Sequence, residues 1–61
     1  MERGDLVWAT VYGGEKVRRR VVRVADKVVY ICRDEEYQAA LQEQREPQCV
    51  GFGKEFIAPL G

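Results

Sequence analysis

The stretch GDLVWATVYGGEKVRRRVVRV, residues 4–24, decides how this chain folds. Its first part, DLVWATVY (5–12), is rich in β-branched and aromatic residues. In an extended strand Val7, Ala9 and Val11 fall on one face, and Leu6, Trp8, Thr10 and Tyr12 on the other. Gly13-Gly14 follows. Two glycines between strand-like runs signal a hairpin, because both tolerate positive φ. The second run, EKVRRRVVRVA (15–25), alternates imperfectly. Val17, Arg19 and Val21 share one side by strict counting; Arg18, Arg20, Val22 and Val24 share the other. The apolar set changes face between Val21 and Val22, which a β-bulge or a sharp bend explains.

Beyond this hairpin, Asp26-Lys27 separates the second run from VVYICR (28–33), a third strand. Pairing Ala25 with Val28 sets Val24 opposite Val29 and Val22 opposite Ile31 as an inner face. It also puts Arg23 beside Tyr30 on the outer face, a cation against an aromatic ring. The three strands make an antiparallel meander. At DEEYQAALQEQREP (34–47) the period changes: Tyr37, Ala40 and Leu41 stand at i, i+3, i+4 on one helical face. Asp34 is a good N-cap, Glu35 and Glu36 suit the first turn, Arg45 the last, and Pro47 stops the helix. This predicts a helix near 35–45, lying over one end of the sheet. In QCVGFGKEFIAPLG (48–61), Cys49, Val50 and Phe52 read as a short fourth strand, with a single 3₁₀ turn at GKEF as an alternative reading of that stretch. Phe56, Ile57 and Leu60 then return to the core as a last strand or tail that Pro59 confines to an edge. The glycines flanking Phe52 mark a tight bend or a close backbone approach.

The fold class is therefore mainly β with one short helix, in one domain spanning 1–61. Sixty-one residues leave room for one small core. Net charge is zero but uneven. Residues 1–33 hold eight basic against four acidic side chains, a net +4; residues 34–61 hold two against six, a net −4. Such asymmetry marks a basic binding face, unless the two halves neutralise each other. Met1 is followed by Glu, Arg and Gly without an apolar segment, and no run is long enough to span a membrane, so the expectation is a cytoplasmic protein without a membrane partner.

Three meandering strands, an irregular segment and a short final strand resemble a small SH3-like barrel. The opening resembles the first strand of PWWP and Tudor-type domains, which often begin Gly-Asp-x-Val-x-Ala; here those positions are Gly4, Asp5, Val7 and Ala9. No Pro-Trp-Trp-Pro set follows Gly13-Gly14, and the helical bundle of PWWP domains has no room. The chain is also similar in style to short uncharacterised bacterial proteins with a YGGE turn, a basic strand and a closing VGF segment, a likeness that implies no function.

The sequence argues against an enzyme. Without histidine, no Ser/His/Asp or Cys/His set can be assembled. GFGK lacks the spacing and hydroxyl of a phosphate loop. Cys32 and Cys49 lack metal or redox spacing and read as reduced thiols acting as small apolar residues. No catalytic residue, cofactor or metal is expected. The expected function is a small non-catalytic binding module whose partner is a protein or peptide. An SH3-like barrel presents aromatics between its hairpin loops, and the candidates here are Trp8, Tyr12, Tyr30 and Phe52. The alternative is nucleic-acid binding on the basic strand, with Lys16, Arg18, Arg20 and Arg23 as phosphate contacts and exposed aromatics stacking on bases. Self-association through an edge strand is a further expectation.

Overall fold

The computed structural model describes residues 1–60. Five strands form one antiparallel sheet in the order β4-β3-β2-β1-β5: β1 (Leu6–Thr10), β2 (Lys16–Val24), β3 (Val28–Cys32), β4 (Val50–Gly53) and β5 (Ile57–Pro59). One helix, α1 (Asp34–Glu43), lies between β3 and β4, and a 3₁₀ turn, Lys54–Phe56, joins β4 to β5. The fold is mainly β, as the alternating pattern requires.

The core is made by one face of this sheet. Val7 and Ala9 from β1, Val21 from β2, Val29 and Ile31 from β3 and Ile57 from β5 form one buried cluster, with Val17 and Phe52 packed against it. No helical residue belongs to that cluster. A single sheet can bury its own side chains this completely only by curving around them, which gives a small barrel-like shape. Val22, Cys32 and Ala40 are buried outside the cluster. Cys32 follows the core residue Ile31 and so points to the opposite face. On the helix, Ala40 is the buried residue, and α1 packs against β2.

The first hairpin forms where the glycines require it. β1 stops at Thr10, two residues short of the expected end; the Val11 N–H donates to the Glu15 carbonyl at 2.7 Å, and Tyr12–Gly14 make a 3₁₀ turn. Gly13 and Gly14 have φ of 89° and 83°, which only glycine adopts without strain. The second hairpin closes through Ala25 N–H to Val28 carbonyl, 2.8 Å. Val24 pairs with Val29 and Arg23 with Tyr30 as expected, and then the register shifts. Val22 is the extra residue of a bulge, so Val21, not Val22, stands opposite Ile31. The bulge puts two consecutive valines in buried positions, while Val24, counted on the inner face, is exposed.

The helix differs from its expected caps. Arg33 is the N-cap, and Asp34 is the first helical residue, its carboxylate turned to Arg20. The C-terminus closes as a Schellman motif: the Gln44 N–H donates to Leu41 and the Arg45 N–H to Ala40, with Gln44 left-handed at φ 55°. Leu41, expected on the apolar face, is exposed because only the Ala40 side of the helix meets the sheet. The last strand sits at the sheet edge, where Pro59 pairs with Val7.

Candidate functional site

Two surfaces collect side chains suited to binding, one at each end of β1. The first is apolar. Thr10, Val11, Tyr12 and Gly14 from the first hairpin, Gly51, Phe52 and Gly53 from β4, and Phe56 from the 3₁₀ turn line a groove of about 610 Å³. That is within the size range of ligand sites. Each ring arrives for a local reason. Gly13 and Gly14 turn the chain so that Tyr12 stands fully in solvent. Strand alternation sends Phe52 inward, where it pairs with Val29 and packs on the core. The 3₁₀ turn, closed by the Ile57 N–H on the Lys54 carbonyl, projects Phe56, which is half exposed.

Of the aromatic candidates, Tyr12 and Phe52 thus come together, and Trp8 and Tyr30 do not join them. Trp8 lies on the outer face opposite Arg18 on one side and Ala58 on the other. Tyr30 carries the Arg23 guanidinium over its ring at 4.6 Å. It also covers Gly51, where a Cβ would meet the ring at 3.3 Å and a Val28 methyl at 2.8 Å. Phe56 escaped the sequence reading as a site residue because its spacing assigned it to the core. Its only hint was membership of a predicted 3₁₀ turn, whose middle and last side chains point apart.

The basic candidates are also divided. Arg20 is a structural tie. Its Nη1 donates to the Gly4 carbonyl at 2.7 Å, its Nε to Asp34 Oδ1 at 3.0 Å, and its guanidinium lies 5.6 Å from the Tyr37 ring centre. It joins the N-terminal turn, β2 and the helix start, so it does not face solvent freely. Arg23 is held on Tyr30, while Lys16 and Arg18 are exposed. The two halves of the chain neutralise each other only in part. Among the described residues Arg3 pairs with Glu46 and Arg20 with Asp34, but Arg45 pairs with Glu36 and Glu43 inside the acidic half.

These ion pairs set the titration of their carboxyls. The hydrogen bond from Arg20 holds Asp34 below its ordinary value. Glu36 is lowered by the Arg45 side chain and then by the Gln48 N–H, which donates to it at 2.9 Å. Burial raises the Cys32 thiol, and Cys49 is exposed; both are free. Among the described residues no group of acidic or cysteine side chains is arranged to hold a metal ion, and no helix is long and apolar enough to cross a membrane. No protein-family model matches the chain, and neither curated proteins nor solved structures give a significant match.

Proposed function

We propose that this chain is a small non-catalytic binding module that takes an extended protein segment in the groove between Tyr12, Phe52 and Phe56. The observation that supports it is the convergence of three rings from three separate segments on one apolar groove. Two of them, Tyr12 and Phe56, are exposed at a cost in unfavourable hydration that a solvated loop would not need to bear. The strand order β5-β1-β2-β3-β4, with a 3₁₀ turn before the last strand, resembles an SH3-like barrel. In such barrels, aromatic-lined grooves take proline-rich segments in the polyproline conformation, which fits between rings with little loss of entropy. A proline-rich peptide is accordingly the ligand class.

Selection of binders from a displayed peptide library, followed by affinity measurement, tests this. Tyr12→Ala and Phe56→Ala should each weaken the selected peptide about tenfold or more, as truncating an aromatic anchor does, with the folded spectrum unchanged. Trp8→Phe should leave affinity alone. Unaltered affinity in both groove variants would overturn the reading.

A further inference from the structure

The second surface lies at the opposite end of β1 and does not depend on the peptide groove. Leu6, Arg18, Arg19, Arg33, Asp34 and Glu35 line a cleft of about 570 Å³. Among the described residues none of the three arginines has a carboxylate within ion-pair distance. Asp34 is hydrogen-bonded to Arg20 and also feels Arg18, so with Glu35 it leaves the cleft an excess of positive charge.

The sheet explains why these cations gather. Lys16–Arg19 pair with β1 only, and β3 joins β2 from Arg20 onward. The Val21 main chain exchanges hydrogen bonds with Gly4 and Asp5 on the β1 side. Strand alternation turns the Arg18 main chain the other way, toward Arg33 and the helix start. Its carbonyl accepts the Arg19 Nη1 at 2.8 Å, which curls Arg19 from the core face of the strand back to the cleft.

Trp8 stands directly across from Arg18, 37% exposed. It is the chain's only tryptophan. Arg20 and Arg23 lie over Tyr37 and Tyr30, so neither covers the indole, and its other neighbour is the small Ala58. A partly exposed indole that among the described residues carries no guanidinium over its ring, across from Arg18 at the edge of the arginine cleft, matches a ligand that alternates flat bases with phosphates. We propose that Trp8, Arg18, Arg19 and Arg33 form a binding surface for single-stranded nucleic acid, the guanidiniums holding phosphates and the indole stacking on a base. An acidic peptide would satisfy the arginines but leave the indole without a partner.

Tryptophan fluorescence of the intact protein, titrated with a short oligothymidylate, reads this contact directly. The expected result is saturable quenching that weakens as salt rises, because phosphate contacts release counterions. By anisotropy of a labelled oligonucleotide, the double variant Arg18→Ala/Arg33→Ala should bind about tenfold or more weakly, since each lost phosphate contact lowers affinity and salt slope. Trp8→Phe should bind more weakly at the same salt slope. No quenching at low salt, wild-type affinity in the double variant, or equal competition by polyglutamate or inorganic polyphosphate would each overturn the proposal. Both arginines are exposed, and circular dichroism of the variants separates lost binding from lost folding. None of these outcomes bears on the Phe56 test of the peptide groove.

Discussion

Gln44 shows how much a single backbone angle decides. It is the only non-glycine residue among those described with positive φ, and it stands where the Schellman motif needs a left-handed residue. A side chain there is strained, while glycine is not. Gln44→Gly is therefore expected to stabilise the protein by up to about 1 kcal/mol, the gain from relieved strain exceeding the added freedom of the unfolded chain. A urea midpoint that falls in Gln44→Gly would contradict this. The sequence hid the feature because glutamine gives no left-handed signal; Pro47 showed only that the helix must stop nearby. Gly13 and Gly14, by contrast, announced their own geometry. The ties of Arg20 are hidden for another reason: alternation places it on the outer face, but nothing local reveals that Asp34 and the Gly4 carbonyl meet it there.

Among the elements, β2 and β4 teach most. The bulge at Val22 was legible because two consecutive valines broke the apolar phase, and only a bulge or a bend lets both be buried. The pairing of Val22 with Ile31 was not, since counting from the turn without the extra residue moves every partner beyond Arg23 by one. β4 is short, and its glycine at 51 is set by a neighbour rather than by a turn. A Cβ at Gly51 would come within 2.8 Å of the Val28 side chain and press on Tyr30. Gly51→Ala is thus expected to destabilise the protein by about 1–3 kcal/mol, the range for overpacking. The loss should appear as an earlier thermal midpoint, with Tyr30 and Phe52 resonances shifted. A variant as stable as wild type would show that β4 can withdraw from β3 without cost. The helix gave its existence and length through its period. Its start lies one residue earlier than expected because Asp34 turns its carboxylate to Arg20 of β2, a contact no local signal reveals.

For the whole molecule, the core was readable and the binding surfaces only partly so. Val7 and Ala9 on β1 and Val29 and Ile31 on β3 fall on the core face by alternation, whereas the β2 valines are sorted by the bulge, and which exposed rings share a groove depends on how the curved sheet brings the hairpin beside β4. Small size also makes the molecule responsive to acid. Asp34 and Glu36 are held below their ordinary values of 3.8 and 4.5 by Arg20 and Arg45. The unfolded chain therefore takes up protons first as pH falls. Their contribution is fully present above the ordinary carboxyl range, declines as pH drops through those values, and is gone below the lowered folded values. Urea midpoints should hold between pH 7 and about 5.5 and fall toward pH 3, with a smaller fall in Glu36→Gln. A midpoint independent of pH over that range would show that these pairs do not act on stability.

The central claim is that the groove between the first hairpin and the 3₁₀ turn is the place where this module receives its partner. Amide NMR mapping of a selected peptide on isotope-labelled protein tests it most directly. The account predicts saturable shifts concentrated at Val11–Gly14, Gly51–Gly53 and Lys54–Ile57, with Trp8 and Arg33 unmoved. Shifts centred on α1 or on Trp8, with the groove amides silent, would contradict it.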